Sequence, residues 1–505
     1  MRLSSKLFSG PGFAAVLLAA SALATPAAGA AESGNLIVGG DAEAGTCSND
    51  FKAVTTVPGW TVIEGSPSIL CYAGAQLDTP KGTRPGSGFL ADGPYGDSAL
   101  LQTIDVSAAA SEIDAGTVGY KLQGLLGGWS TYDGQAVVTA AFLDGNGNPL
   151  GDAAQIGGVT AQVRHDVSEL LRRSATGAVP AGTRRIAVTL RFIDTAATFN
   201  DGFADNLSLT ISAKVPHPRL APPPSSVPRF DHVFLVMMEN TDFSEVIGDT
   251  KDAPFINGLA ASGTSLLNYS GVYHPSDENY LAIAGGNTFV EGAIYFPDIH
   301  VNSPHIGDEL EAIGKTWRAY EQGMGFPCNL KNNFDRYYEP DDAPFVNFTD
   351  IQKDRRSCET HLVDTRQLAA DLRNTANTPN FSWIAADDYF DGEASGNGSP
   401  KSLRTQDRWL KRTLTPIMNS AAWKTQRSLL ILTWDESQSR PPNHIGTILV
   451  GSQGLVSLGT STVSYNHYST GRTIENALGI APLTENDRYA QPINDAFGTA
   501  APGRQ

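Results

Sequence analysis

The sequence predicts two domains, an all-β sandwich followed by an α/β domain. Residues 31–213 contain strands in which apolar and polar side chains alternate, separated by glycine-rich turns. From residue 229 onward, short and solidly apolar runs alternate with helical stretches, which indicates a sheet that is buried on both faces. Residues 214–228 lie between the two patterns and hold six prolines, so we expect a stiff linker with few contacts across it.

Two features support the β domain. Residues 185–192 alternate strictly, with Ile186 and Val188 on one face and Ala187 and Thr189 on the other. A second alternating run ends at residues 144–147, whose Asp-Gly-Asn-Gly sequence predicts a hairpin turn.

In the second domain, residues 232–238, 428–433 and 445–450 read as buried strands of a parallel sheet. Residues 253–261 and 406–419 have a helical pattern, and Gly263 stops the first of them. Together these elements predict a layered α/β fold.

The first 30 residues have the pattern of a secretory signal peptide. Arg2 and Lys6 precede the apolar run 13–24, and residues 28–30 (Ala-Gly-Ala) fit the small-residue cleavage pattern. The apolar run is too short to span a bilayer. We therefore expect a secreted protein, extracellular or periplasmic, without a transmembrane segment.

The charge balance excludes one class of partner. The chain has 505 residues, with 36 Lys and Arg against 53 Asp and Glu, and its net charge is −17. Such a chain is poorly suited to bind nucleic acid or an anionic membrane. A hydrophobic content of 41% is enough for buried cores and argues against a disordered chain.

Four cysteines occur in a chain that we expect to be exported, which predicts two disulfides. Pairing Cys47 with Cys71 and Cys328 with Cys358 keeps each bridge within one half of the chain. Their spacings do not resemble those of a zinc site.

Acidic residues follow three of the apolar runs, as Glu239-Asn240, Asp387-Asp388 and Asp435-Glu436. The carboxyl ends of parallel strands meet at one edge of a sheet, so these side chains should converge. Clustered carboxylates need a cation or a proton to coexist, which favours a site for a hard metal ion. The alternative is that these acidic pairs have no metal-binding role, because polar residues commonly follow the end of a buried strand.

Ser276 lies in the segment His-Pro-Ser-Asp-Glu-Asn-Tyr, directly before a helical stretch. It could merely cap the helix. It could also be a nucleophile, because a helix N-terminus stabilises an alkoxide and a bound phosphate. Among the histidines of this half, His444 follows the second acidic pair and His467 lies in a Tyr-Asn-His-Tyr segment. Either could bind substrate or donate protons.

Four blocks together resemble the phosphoesterase family of bacterial secreted acid phosphatases and phospholipases C, which is related to the alkaline-phosphatase superfamily. They are HVFLVMMENTDFSEVIG, HPSDENYLAIAGG, LLILTWDES with NHIGTILVG, and YNHYSTGRTIENALGI, and they span nearly all of residues 230–496. The resemblance implies an αβα sandwich and one divalent cation. It also implies that Ser276 is both nucleophile and ligand, and it assigns the remaining ligands to Glu239, Asn240, Asp435 and Glu436.

Ligands that are all oxygen atoms favour Mg²⁺, Ca²⁺ or Mn²⁺ over zinc. Candidate substrate-binding residues or general acids are His274, Asn279, His444 and His467.

The sequence departs from the family pattern at three points. Glu278 replaces the proline of the family's HPSxPNY motif, and Asp342-Ala343-Pro344 stands where many members have His-Asn-Pro. Residues 391–393 (Asp-Gly-Glu) stand where many have Asn-Asp-x-His-Asp. Because carboxylates replace histidines, these departures bear on the substrate and the pH optimum and leave the metal–serine centre intact.

The first domain resembles the galactose-binding-like jelly rolls of secreted bacterial enzymes, through residues 35–38, 58–60 and 201–207. That resemblance implies a possible structural Ca²⁺ at Asp41, Glu43 and Asp205. It also implies a carbohydrate or cell-surface partner, although a spacer is an equal alternative.

We therefore expect a metal-dependent phosphoesterase of the acid-phosphatase type that hydrolyses phosphate monoesters through a phosphoserine. One alternative is a phospholipase C, a diesterase, for which the aromatic loop 326–338 would supply an apolar approach. The other is a non-catalytic carbohydrate-binding or adhesion protein.

Overall fold

The computed structural model describes residues 32–81, 83, 85–94, 96–193, 201–292, 294–331, 336–396, 398–438 and 443–498. The predicted signal peptide, residues 1–30, lies outside the described residues.

The first domain is built from two antiparallel sheets whose strand orders are β1-β4-β9-β6-β7 and β2-β3-β10-β5-β8. Apolar side chains from both sheets share one core, which includes Leu100 and Val188 of the first and Leu90 and Leu122 of the second. These antiparallel sheets are compatible with the predicted β domain, whereas the jelly-roll topology stays a prediction. The elements are β1 Thr61–Glu64, β2 Ser68–Cys71, α1 Tyr72–Ala75, β3 Gly88–Ala91, β4 Ser98–Asp105, α2 Ala110–Asp114, β5 Gly119–Gly128, β6 Gln135–Leu143, β7 Ala154–Ile156, β8 Glu169–Ala178, β9 Arg185–Ile193 and β10 Gly202–Ile211.

The alternating pattern has the predicted consequence in β9, where Ile186 and Val188 are fully buried and their neighbours are not. The predicted turn follows β6. There Asp144 Oδ1 accepts hydrogen bonds from the backbone N–H groups of Asn146 and Asn148, each at 2.8 Å. Local residue chemistry therefore determined both features.

The second domain contains a mixed sheet of order β14-β13-β15-β11-β16-β17-β12-β18. Its helices pack in pairs that include α4 with α12 and α5 with α14. The strands are β11 His232–Met238, β12 Thr264–Ser270, β13 Trp317–Glu321, β14 Leu362–Asp364, β15 Phe381–Ala385, β16 Ser428–Trp434, β17 Thr447–Gly451 and β18 Gly459–Asn466. The helices are α3 Phe243–Val246, α4 Pro254–Ala261, α5 Asp277–Gly285, α6 Ile306–Ala312, α7 Thr349–Lys353, α8 Arg355–His361, α9 Leu368–Asp371, α10 Asp388–Asp391, α11 Glu393–Gly396, α12 Pro400–Asn419, α13 Ala421–Thr425, α14 His467–Leu478 and α15 Glu485–Tyr489.

The prediction of a parallel sheet is wrong for one strand. β17 pairs antiparallel with both β16 and β12, while the other neighbouring pairs are parallel. A strand that is buried on both faces is solidly apolar in either direction, so its hydrophobic pattern cannot reveal which way it runs. The run predicted at 445–450 forms a strand two residues later, at 447–451.

Five neighbouring strands, β14, β13, β15, β11 and β16, run parallel, so their carboxyl ends lie at one edge. Strand β13 ends in Glu321, and Glu239, Asp387 and Asp435 follow the ends of β11, β15 and β16. This edge therefore collects the acidic residues that the sequence placed there.

Both predicted disulfides, Cys47–Cys71 and Cys328–Cys358, are present, with Cα–Cα distances of 5.1 and 5.3 Å. Within the described part of the chain, no helix is long and apolar enough to cross a bilayer.

The expectation of few contacts between the domains is wrong, because a segment of the first domain docks on the second. The backbone N–H of Val54 donates to the carbonyl of Val272 at 2.9 Å, and Asp50 accepts a hydrogen bond from the Tyr273 hydroxyl. Val54 is also buried in a cluster with Tyr468 and Ala490 of the second domain. A proline-rich linker limits the flexibility of the connection itself and does not prevent the surfaces that it joins from packing.

Because of this docking, a chain that begins at Pro228 should be less stable than the second domain within the full chain. It exposes the apolar cluster around Val272 and Tyr468, which should lower the unfolding midpoint by about 5–10 °C. Val54→Ala in the full chain should lower it by a smaller amount. Differential scanning calorimetry measures both, and an unchanged midpoint for the shorter chain would contradict the docking.

Candidate active site

The centre of the candidate site is formed where β11 and β16 end side by side. The strands pair in parallel, with Met238 opposite Trp434, so the next residues of both strands are adjacent. Asn240 has a φ of 45°, a left-handed conformation that Asn tolerates better than most residues. In this conformation its backbone N–H donates to Asp435 Oδ1 at 2.9 Å and its side-chain amide donates to Glu239 Oε2 at 2.8 Å.

Ser276 precedes α5 and faces this centre. Its φ and ψ of −66° and −49° are already helical, and its side chain makes no capping hydrogen bond. Instead the hydroxyl donates to Glu239 Oε2 at 3.3 Å. Ser276 therefore occupies the N-cap position without a capping hydrogen bond from its side chain, which does not favour the alternative of a mere cap.

Tyr280 belongs to the site although the sequence argument missed it. Its hydroxyl donates to Glu239 Oε1, so Glu239 is bound by Ser276, Asn240 and Tyr280 together. Burial, together with the charge of Glu239, raises the pKa of the Tyr280 phenol well above its ordinary value and keeps it protonated. The sequence feature that could have identified Tyr280 is its position four residues after Ser276, which places it on the same face of the helix.

The predicted site residues His274 and Glu436 are bound to each other. His274 Nδ1 contacts Glu436 Oε2, and both side chains are buried. Among the described residues, Glu239, Asp435 and Glu436 do not form a group in which one oxygen of each lies within 4.8 Å of the others. The role of Glu436 as a metal ligand stays a prediction.

The side chain of Asn279, which was predicted to contact substrate, forms its hydrogen bonds with the backbone of its own loop. Its Oδ1 accepts hydrogen bonds from the N–H groups of Val272 and Tyr273 at 2.8 and 3.1 Å. Its amide donates to the carbonyls of Tyr273 and Pro275 at 3.0 and 3.2 Å. Asn279 therefore shapes the loop that carries Ser276, which favours a positioning role over contact with substrate.

The other two predicted histidines, His467 and His444, also form hydrogen bonds with backbone carbonyls. His467 is fully buried, and its Nε2 donates to the Asp435 carbonyl at 2.6 Å while Nδ1 accepts from the Tyr269 hydroxyl at 3.1 Å. Burial lowers the pKa of His467 to about 4, so the ring is neutral at ordinary pH. His444 donates through Nε2 to the Leu267 carbonyl at 2.9 Å. These bonds favour structural roles over the predicted role of general acid.

The electrostatics of the centre favour a bound cation. Burial, and then the charge of Asp435, raises the pKa of Glu239 well above its ordinary value. Burial and Glu436 raise the pKa of Asp435 to about 7, although hydrogen bonds from the Asn240 N–H and the Ser276 side chain act in the opposite direction. Among the described residues, no Lys or Arg forms an ion pair with either carboxylate. The oxygen ligands present therefore fit a hard divalent ion.

In the first domain, protein donors already hold two of the three residues expected to bind Ca²⁺. Asp205 accepts hydrogen bonds from Tyr72 at 2.7 Å and from the Asn206 amide at 2.9 Å. Glu43 accepts from the Ser87 N–H and hydroxyl, each at 2.8 Å. Among the described residues, Asp41, Glu43 and Asp205 do not form a group in which one oxygen of each lies within 4.8 Å of the others. This geometry does not favour the calcium site.

Comparisons with known proteins identify the family of the chain. The model of the Phosphoesterase family matches residues 249–481. The phosphatidylinositol-3-phosphatase of Mycobacterium tuberculosis is 32% identical over 277 residues, which cover 54% of this chain and 85% of that protein. The phosphate-repressible acid phosphatase of Penicillium chrysogenum is 28% identical over 279 residues, or 50% of this chain and 60% of that protein.

Among solved structures, a protein in the alkaline phosphatase superfamily from Vibrio parahaemolyticus matches with a TM-score of 0.38 and 11% identity. That match covers 53% of this chain and 72% of the other. The sequence matches to proteins named as phosphatases therefore carry the assignment. The chain belongs to the Phosphoesterase family and is a hydrolase that acts on phosphoric ester bonds.

Proposed function

We propose that the protein is a secreted, metal-dependent phosphomonoesterase of the acid-phosphatase type that works through a phosphoserine. The observation that carries the proposal is the Ser276 hydroxyl, which faces Glu239 at the start of α5. The matching relatives are all named phosphatases, which supports a monoester over the diester of a phospholipase C. Their names also argue against a non-catalytic adhesion protein.

Ser276 would attack the phosphorus atom as its hydroxyl proton passes to Glu239 Oε2, the oxygen that already accepts it. The Oγ–P bond forms and the bond to the leaving oxygen breaks. Hydrolysis of the phosphoserine then restores the serine and releases phosphate.

His274 would supply the proton that the leaving oxygen needs. It lies two residues before Ser276 in the sequence, and its buried ring is bound to the carboxylate of Glu436. Tyr280 and the Asn240 amide orient Glu239 toward Ser276. Residues that would hold the cation are Glu239, Asn240, Ser276, Asp435 and Glu436. When bound, it would favour ionisation of the serine and offset negative charge on the phosphoryl oxygens.

Export is part of the proposal. Two disulfides suit an oxidising compartment. The first domain is proposed to hold the enzyme near a carbohydrate or cell surface, and glycan-array binding by the full chain would test that role.

Ser276→Ala should lower kcat for p-nitrophenyl phosphate by about a thousandfold or more without unfolding the chain, because it removes the nucleophile. Wild-type protein should hydrolyse p-nitrophenyl phosphate at least tenfold faster than p-nitrophenyl phosphorylcholine, a diester. The matched control is Ser262→Ala, at the end of α4, which should retain activity. A decrease of kcat by less than tenfold in Ser276→Ala would refute the assignment of Ser276 as the nucleophile.

Asp435→Asn should weaken cation affinity by about tenfold or more, because it removes one charge while its amide oxygen still accepts from the Asn240 N–H. High metal concentration should restore part of the activity. The exposed Asp298→Asn is the control for charge. Assays follow chelation, with elemental analysis to confirm that metal is absent, and full activity in that sample would rule out the cation.

Without metal, the protein should become less stable as pH rises from about 4 to about 9. Burial raises the pKa of Asp435 to about 7 and that of Asp277 and Glu278 to about 9, whereas unfolding returns each to about 4. The folded state thus binds more protons in this window, so its stability falls with pH. Thermal unfolding in chelator at pH 5 and 8 measures this, and Asp435→Asn should show a smaller fall. A midpoint that rises with pH would contradict the assignment.

A further inference from the structure

Residues 48–54 of the first domain dock on the second domain, and one of their side chains reaches the loop that carries Ser276. Asp50 Oδ2 accepts a hydrogen bond from the hydroxyl of Tyr273, which lies three residues before Ser276. The same hydroxyl accepts a hydrogen bond from the Gly292 N–H at 2.9 Å. The Tyr273 hydroxyl therefore lies between the first domain and a second loop of the catalytic half.

Asp50 is held in place by its own domain. Its backbone N–H donates to Ser48 Oγ at 3.0 Å, and its Oδ1 accepts from the Lys52 N–H at 2.9 Å. Ser48 is joined to β2, because its carbonyl accepts from the Cys71 N–H at 2.8 Å, and Cys71 forms a disulfide with Cys47. The carboxylate is therefore fixed by contacts within the first domain.

The backbone of Tyr273 is bound to the start of α5. Its N–H donates to Asn279 Oδ1 at 3.1 Å, and its carbonyl accepts from the Asn279 amide at 3.0 Å. The Asn443 amide donates to the same carbonyl at 2.9 Å. Because Asn279 lies in the first turn of α5, three residues after Ser276, movement of Tyr273 would displace both of these residues.

The hydrogen bond between Tyr273 and Asp50 is difficult to replace. Tyr273 is fully buried, and burial together with this hydrogen bond raises the pKa of its phenol, so the hydroxyl stays protonated and acts as a donor. A hydrogen bond to a carboxylate is stronger than one to a neutral acceptor. A buried donor that loses its acceptor is unfavourable, so without Asp50 the ring would move toward another partner.

The simpler interpretation is that these contacts only hold the two domains together. Val54 already serves that purpose, because it is buried in a cluster with Tyr468 and Ala490 of the second domain. Asp50 differs from Val54, because it binds the side chain of Tyr273, whose backbone is bound to α5. The two interpretations therefore predict different kinetics.

We infer that Asp50 is a positioning residue for phosphoester hydrolysis, although it lies in the first domain. Through the Tyr273 hydroxyl it fixes the loop before α5 and so the position of Ser276. The first domain thus contributes to turnover through this loop, without contact between Asp50 and substrate. The inference rests on the proposed function, in which Ser276 is the nucleophile.

Asp50→Ala in the full chain should lower kcat for p-nitrophenyl phosphate by about tenfold to a hundredfold, because a small displacement of a reacting group has effects of this size. KM should change by less than about twofold, because a positioning residue does not bind substrate. The loss of kcat should be equal for glycerol phosphate, whereas contact with the leaving group would affect the two substrates differently. The exposed Asp152→Ala is the charge control in the same domain and should retain activity.

Three further variants distinguish positioning from docking. Tyr273→Phe should also lower kcat, and the double variant Asp50→Ala/Tyr273→Phe should be no slower than Tyr273→Phe, because the carboxylate acts through the hydroxyl. Asp50→Asn should retain more activity than Asp50→Ala, because its amide oxygen can still accept from Tyr273. Val54→Ala should lower the unfolding midpoint but leave kcat close to that of the wild type.

Kinetics are measured well below the unfolding midpoint of each variant, so that loss of folded protein does not imitate a loss of kcat. Wild-type kcat in Asp50→Ala, or an equal loss in Val54→Ala, would overturn the inference. Losses that multiply in the double variant would also overturn it, because Asp50 would then act independently of Tyr273. Should Asp50→Ala not fold, unchanged kcat in Tyr273→Phe is the outcome that overturns it.

The same assays separate this inference from the proposed function. If Ser276→Ala abolishes turnover and Asp50→Ala does not lower kcat, the nucleophile stands and the positioning role fails. If Asp50→Ala lowers kcat and Ser276→Ala retains activity, Asp50 does position the loop and the assignment of Ser276 as the nucleophile fails.

Discussion

Buried negative charge at one edge of the sheet is the constraint on which the site depends. Five parallel strands end there, and the residues at their ends are largely acidic. Carboxylates in such numbers cannot all ionise in a dry environment unless positive charge or donors accompany them. The protein supplies part of what is needed through Tyr280, the Asn240 amide and the Ser276 hydroxyl, all of which bind Glu239. The buried carboxylates that would activate Ser276 in the proposed mechanism thus also destabilise the folded chain when no cation is bound.

Much of this centre could be predicted because strand ends are local features. Glu239 and Asp435 each follow a solidly apolar run, and parallel pairing of β11 and β16 brings them together. The segment before α5 could be recognised from its residue types alone. The assignment of histidines was less successful, since a histidine beside an acidic pair can bind either a side chain or a backbone carbonyl. His467 does the latter, and only the tertiary structure shows this.

The remaining errors have a common physical origin in long-range packing. The direction of β17 leaves no trace in its hydrophobic pattern, and the convergence of Asp342 with Asp391 depends on a turn far from α10 in sequence. The docking of residues 50–54 on the second domain depends on surfaces that are separated by the whole proline-rich segment. Composition can locate a linker, but it does not determine whether the surfaces that flank it fit each other.

The docking of residues 50–54 on the second domain affects the order in which parts of the chain can fold during synthesis. Val54 is among the first residues of the described chain to be synthesised, whereas Tyr468 and Ala490, which share its cluster, are among the last. The cluster also contains Val272, two residues before the segment His274–Ser276. During synthesis, therefore, the loop that carries the serine lacks the contacts of this cluster until Ala490 has been added. Chains that end before residue 490 would lack this cluster, so the segment His274–Ser276 should be held less firmly in them.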